Sequence, residues 1–356
     1  MGRLDRYIAA ALLKGWTLVL TVMLAIFSLL AFVEELEHVG GRYQVTDALR
    51  FVAYTMPQRA YDLAPVITLL GTLIALASLA KNSELIAIRA AGTSVPRFLR
   101  SVLMPTVLLV VALALFAEYV AAPAYQKAEA ERSVIRSGKG KLLKGKGLWS
   151  NNGQRYFNVR TLRLGRIPSG IDLYEFNADG RLKLAIHADH ADVHEGRRWT
   201  LVDVRYKQLE DGRLVSKHLD RLDMGPFWSR EELPALSLST TGMSLSGLYE
   251  YARYLDATGQ RPDRIELAFW QKATIPLAAG VMVLLATPIG AGLGTQRSSG
   301  FGRRIATGAI IGILFYLGTQ IIHTAGLLLE IDSALIALIP IALITAAGTV
   351  LLRRMR

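Results

Sequence analysis

With 356 residues and 52% hydrophobic side chains, the chain carries more apolar surface than one ordinary soluble domain can bury. Its net charge of +12 would suit a nucleic-acid binder, but the charge sits in short segments between apolar runs, which removes the main support for that reading. Cysteine is absent, so disulfides and thiolate metal sites are excluded, and no compartment follows from that.

A hydrocarbon core about 30 Å thick needs roughly 20 apolar helical residues. Six stretches free of Asp, Glu, Lys and Arg meet this: 15–33, 63–80, 101–117, 273–296, 305–329 and 333–352. The first is too long for the apolar part of a signal peptide, and Glu34, Glu35 and Glu37 stand where a cleavage site would lie, so it reads as a retained helix. The N-terminus and the second, fourth and C-terminal connections hold thirteen Lys and Arg against Asp5 and Glu84, a balance of +11 out of the total +12. Short Lys- and Arg-rich loops stay in the cytoplasm. Both termini are therefore expected inside and the segment between the third and fourth helices outside.

The second connection contains Asn82-Ser83-Glu84-Leu85-Ile86-Ala87-Ile88-Arg89-Ala90-Ala91-Gly92. Asn82 or Ser83 can cap a helix, Glu84 suits its positive N-terminal end, Gly92 its stop, and Pro96 bars continuation. A short cytoplasmic helix is predicted over 82–92. Residue pattern alone leaves open whether it lies on the membrane surface or docks in a groove of a cytoplasmic motor.

Between 123 and 266 the long apolar runs give way to short alternating ones. They are separated by turn signals at Asn151-Asn152-Gly153, Asn177-Ala178-Asp179-Gly180, Glu195-Gly196 and Asp211-Gly212. Leu182, Leu184, Ile186 and Ala188 share one parity, and Arg181, Lys183, His187 and Asp189 the other. Strands without intervening helices suggest an antiparallel sandwich, roll or open barrel. Helical spacing returns at Ser246–Tyr254, where Leu248, Tyr251 and Leu255 fall on one side. The expected organisation is thus 1–122 with three membrane helices, 123–266 as an extracytoplasmic β domain ending in a short helix, and 267–356 with three more membrane helices.

Residues 140–147 nearly spell a phosphate-binding loop, yet Gly147 replaces the hydroxyl residue that would bind magnesium and the segment lies outside, so no ATPase is expected in this chain. His187, His190 and His194 with Asp189 and Asp192 have metal-like spacings, but His187 points opposite to the other two on a strand. They read as a solvated strand edge, and no metal site is expected. Glu118 and Lys272 fall at span ends, where snorkelling is the ordinary explanation. His323, inside the fifth span, fits an interhelical hydrogen bond or contact with a lipid headgroup equally well. No nucleophile–base or paired-carboxylate pattern stands out, and no catalytic residue is expected.

Several strings, weak singly but in order along the chain, then point to one family. Leu4-Asp5-Arg6-Tyr7-Ile8, Ser83-Glu84-Leu85 through Ala91-Gly92, Ser244-Leu245-Ser246-Gly247-Leu248 with Tyr251, Tyr254 and Leu255, Gly259-Gln260, Trp270, Ala306-Thr307-Gly308 and Phe315-Tyr316 with Gln320 resemble the LptF/LptG permeases of the lipopolysaccharide exporter. They lie nearer the LptG branch, with LptF as the alternative.

The resemblance implies an inner-membrane ABC-type permease subunit whose outer domain is a β-jellyroll. It implies a heterodimer of LptF and LptG, two copies of the ATPase LptB, and LptC at the dimer interface. ATP and magnesium would be used by the partner ATPase and no cofactor bound by this chain. It further implies that Glu84, Leu85, Ile86, Ile88 and Arg89 form an ATPase-coupling helix, with Glu84 facing a basic residue of LptB. The first and fifth helices would line the lipid cavity and its lateral gates, with Ala25, Leu29, Leu30, Glu34, Phe315, Thr319 and His323 as candidates. One departure stands out: the basic residues that relatives carry just past the first helix are here Ala31, Glu37 and His38. Arg42, Arg59, Arg132, Arg136 or a bridging divalent cation are then the candidates for the headgroup phosphates. A mechanical permease that transmits ATPase motion without moving lipid is the competing reading.

Overall fold

The computed structural model describes residues 2–40, 43–137, 140–143, 147–151, 155–163, 167–177, 181–193, 199–210, 213–224, 240–257, 262–291, 301–328 and 332–353. Two compact units emerge: Met1–Ala31 with Thr55–Ala122 and Ser244–Arg356, and Phe32–Tyr54 with Pro123–Met243.

Among the described residues, six helices are long and apolar enough to cross a membrane, as the charge-free runs predict. They are α1 (Arg3–Leu36), α3 (Ala64–Lys81), α5 (Val95–Phe116), α8 (Asp263–Ala291), α9 (Phe301–Leu328) and α10 (Ser333–Arg353). Three shorter helices join them: α2 (Val45–Asp62), α4 (Glu84–Ala90) and α7 (Leu245–Ala257). α5 does not stop at Glu118, where charge suggested an end. It runs through a π turn, Ala117–Ala121, into α6 (Ala122–Ser137). Glu118 on that turn accepts the Leu245 N–H at 2.8 Å and the Ser246 hydroxyl, so it caps α7 rather than snorkelling.

In the first unit α3 and α8 form the centre. Leu69, Leu73, Met282, Leu285 and Ala286 pack together, with Phe315 and Ile344 against them. One of the two prolines within α8, Pro276, has a compensating partner. Pro276 has no N–H to give the Lys272 carbonyl four residues back, and the fully buried Tyr61 hydroxyl donates to that carbonyl at 2.6 Å. Thr68 on α3 donates to the Ala279 carbonyl at 3.0 Å, and Arg304 on α9 to the Gly290 carbonyl at 3.0 Å near the end of α8.

α1 crosses α3 at a pair of glycines. A Cβ on Gly15 would lie 2.3 Å from the Gly71 carbonyl oxygen, and one on Gly71 2.8 Å from the Trp16 backbone. Close approach of two backbones needs small residues there. Beside the crossing, the Trp16 indole donates to the buried Thr72 hydroxyl at 2.9 Å.

Among the described residues of the second unit, seven strands form one antiparallel sheet in sequence order: β1 (Gly140–Leu143), β2 (Gly147–Asn151), β3 (Arg155–Arg163), β4 (Ile167–Phe176), β5 (Leu182–Val193), β6 (Trp199–Glu210) and β7 (Arg213–Met224). The predicted turns at 152–153, 178–180, 195–196 and 211–212 lie outside the described residues, but the strands flanking each pair as antiparallel neighbours.

Phe157 on β3 and Trp199 on β6 meet edge to face at 5.7 Å between ring centres. In a flat sheet these strands would stand roughly 14 Å apart, so the sheet rolls round on itself, as in the jellyroll-like domain expected. A row across the strands shows how. Ladder pairing is interrupted at Arg160, Gly170, Asp189, Asp203 and Asp220, which lie opposite one another. Gly170 and Asp203 in that row are left-handed, at φ 64° and 54°. Buried residues switch parity across it, from Ile186, Ala188 and Val204 on one side to Ala191, Leu201 and Trp199 on the other. The row is a crease that bends the sheet without shifting its register. Gly170 is required twice over, because a Cβ there would also touch the Arg160 Cβ at 3.0 Å.

Candidate functional site

The predicted short helix is present as α4, closed by a Schellman turn. Gly92 takes φ 81°, its N–H bonds the Arg89 carbonyl at 2.9 Å, and the Thr93 N–H bonds the Ile88 carbonyl at 3.4 Å. The start differs from expectation. Ser83 stands at the N-cap in a left-handed conformation, φ 60°, and makes no capping hydrogen bond. Instead the Asn82 amide donates to the Glu84 carboxylate at 3.3 Å.

The five candidate residues of α4 divide by environment. Leu85 is buried with Ile8, Leu12, Leu79 and Phe98, and Ile88 packs on the same cluster. Ile86 is 67% exposed and Arg89 is also exposed, leaving them free to meet another surface. Glu84 accepts a short hydrogen bond from the Tyr7 hydroxyl of α1. The same stretch of α1 reaches α5, where the Ser101 hydroxyl donates to Asp5 at 2.5 Å.

The cavity candidates lie on two helices that pack against α3 in one cluster. Val19, Leu20 and Met23 of α1 and Ala309 of α9 surround Ile67 and Leu70. Beyond that contact both helices are open: Leu29 and Leu30 are 63% and 59% exposed, and Ala25 and Glu34 are exposed. On α9, Ile313, Leu314, Leu317 and Ile321 are exposed, while Phe315, Thr319 and His323 are half-buried. Among the described residues, none of these candidates lines either of the cavities at 85–98 and 43–54. Among the same residues the structure gives His323 no side-chain hydrogen bond.

Of the headgroup candidates, Arg42 lies outside the described residues, as does the side chain of Arg136. Arg59 is half-buried in the last turn of α2. Arg132 on α6 is engaged: its Nε stands 2.8 Å from the Glu35 carboxylate, and its guanidinium lies 4.5 Å over the Phe51 ring. Glu35 is buried and also accepts the Tyr43 hydroxyl at 2.8 Å. Burial and then that bond raise the Tyr43 phenol, so it stays protonated and donating. Of this group, unforeseen from sequence, Tyr43, Phe51 and Arg132 line a cavity with Asp47, Arg50 and Tyr54. The one available signal was the spacing of Ala48, Phe51, Val52 and Thr55, which marks one face of α2 as buried.

The histidine reading needs a correction. β5 lies between β4 and β6, so His187 and His190 are on the surface of an inner strand rather than on a sheet edge. His187 bonds Asp172 at 2.6 Å and His190 bonds Asp189 at 3.0 Å. His194 lies outside the described residues, and no group of three metal-ligating side chains occurs among those described. Residues 140–143 and 147–151 form the β1–β2 hairpin instead of the strand and helix that a phosphate-binding loop joins.

The family model for the lipopolysaccharide export system permease LptF/LptG matches residues 6–354. The chain is 32% identical over 347 residues to the lipopolysaccharide export system permease protein LptG of Haemophilus influenzae, covering 96% of this chain and 95% of that protein. It is 28% identical, over the same shares, to LptG of Escherichia coli K12. The chain belongs to the LptF/LptG family of lipopolysaccharide export system permeases.

Proposed function

We propose that this chain is the LptG-type permease subunit of an ABC-type lipopolysaccharide exporter. It pairs with LptF, receives two copies of LptB and one LptC, and draws lipopolysaccharide from the inner membrane toward a periplasmic bridge. The full-length match to LptG proteins carries this reading. The concentration of Lys and Arg in the short connections supports cytoplasmic termini and a periplasmic β domain.

Extracting an acylated lipid costs about 0.8 kcal/mol for each CH₂ withdrawn from the bilayer, so release over many cycles needs an external energy source. LptB supplies it by hydrolysing ATP, with magnesium held by that partner. α4 receives the force through Glu84, Ile86 and Arg89. Lipid is held by the open faces of α1 and α9, from Ala25, Leu29 and Leu30 to Phe315, Thr319 and His323. The headgroup is met by Arg42, Arg59, Arg136 or a divalent cation; Arg132 reaches it only by giving up Glu35.

A photocrosslinking residue at Ile321 in the assembled complex is expected to capture lipopolysaccharide. Capture of nothing there and at every position of 25–30 would favour a permease that transmits motion without carrying lipid.

A further inference from the structure

The hydrogen bond from Tyr7 to Glu84 joins α1 to α4 directly, across no intervening helix. Tyr7 is 50% exposed, and its hydroxyl does not fill a hole in the core. An exposed hydrogen bond of this kind adds little to folding, so holding the fold together does not account for it. Its geometry serves a different end. Each carboxylate oxygen of Glu84 accepts one inner donor, Oε2 from Tyr7 and Oε1 from the Asn82 amide, and each keeps a lone pair for a donor from outside. One residue along α1, Ile8 is fully buried in the same apolar cluster as Leu85. The base of α1 is therefore tied to α4 at two successive residues, by a polar bond to Glu84 and through the cluster that buries Leu85.

We infer that Tyr7 is the positioning residue for Glu84: its hydroxyl fixes the carboxylate for a cationic partner and passes displacement of α4 straight into α1. This rests on the reading of α4 as the receiver of force. α1 then moves with α4 at its base; elsewhere in this unit it is attached by the Asp5–Ser101 bond, the glycine crossing, the Trp16–Thr72 bond and the apolar packing of Val19, Leu20 and Met23 on Ile67 and Leu70.

The test uses the full complex with the ATPase, reconstituted with lipopolysaccharide, and measures assembly and lipid-stimulated ATP turnover for Tyr7→Phe, Glu84→Gln and the double variant. Tyr7→Phe is expected to assemble and to lower the stimulation roughly three- to tenfold, the size of one ordinary hydrogen bond. The double variant is expected to be no worse than Glu84→Gln, because Tyr7 acts through Glu84. Unchanged stimulation in Tyr7→Phe, or additive losses in the double variant, would overturn the inference. Should Tyr7→Phe fail to assemble, Tyr7→Gln, which returns a neutral donor, must restore assembly and stimulation together, and its failure counts against the inference. Glu84→Ala separates the two levels. If it leaves turnover and assembly unchanged, the force-receiving role of α4 fails; if it lowers turnover while Tyr7→Phe does not, only the role of Tyr7 fails.

Discussion

α3 and α8 are buried along most of their length, whereas α1 and α9 leave most of theirs exposed, although all four are apolar enough to cross a membrane. Hydropathy reports only that a helix tolerates lipid. What separates the two pairs is how many faces of each helix are packed. α3 and α8 meet through Thr68 and the Ala278-Ala279 and Ala286 surface, while α1 and α9 each rest on α3 along one flank, α1 at the glycine crossing, the Trp16–Thr72 bond and Val19, and α9 at Gly308, Ala309 and Phe315. Lipid tails are as apolar as leucine, so packing and hydrogen bonds decide which helices associate. The open faces of α1 and α9 are thus available to lipid or a partner because little holds them closed.

This contrast can be broken most sharply at the glycine crossing. Gly15→Ala is expected to destabilise by about 3 kcal/mol, because its Cβ meets backbone that cannot yield. Gly308→Ala, whose Cβ meets the ends of the Leu73 and Leu70 side chains rather than backbone, should cost under about 1.5 kcal/mol. Thermal unfolding of the detergent-purified proteins compares them, and equal midpoints would show that α1 is not locked onto α3.

Next in size, Leu73→Ala in the α3 core is expected to cost about 2 kcal/mol in the same assay. That is at the low end for a buried leucine, because only packing is lost where lipid replaces water. Trp16→Phe strands the buried Thr72 hydroxyl and should cost about 1 kcal/mol, and adding Thr72→Val should recover part of it. The smallest effect on stability is expected from Leu314→Ala, within about 0.5 kcal/mol, since the side chain is 64% exposed. If that face serves lipid, transport falls while the melting midpoint stays.

The six spans were legible because each is a long run without charge, and α7 because Leu248, Tyr251 and Leu255 keep helical spacing. α2 and α6 were missed for the converse reason. Both are mixed in polarity, and their burial depends on partners: Arg132 finds Glu35 from the end of α1 and Phe51 from α2, a convergence that no local pattern encodes. The crease in the sheet was hidden likewise. Strict alternation was readable up to Ala188, but the change of parity beyond it is set by backbone angles at Gly170 and Asp203 on two other strands. On α4 the sequence offered five residues in one turn and a half, and only packing could say that Leu85 faces inward and Ile86 outward.

The burial of Leu85 also bears on how α4 exists at all. Seven residues are too few to nucleate a helix in water. Its conformation is borrowed from the bundle, and a synthetic peptide of residues 82–92 should show a coil spectrum in circular dichroism and fail to compete for whatever surface α4 meets. The docking element is better regarded as a contour of the folded protein than as a transferable sequence tag.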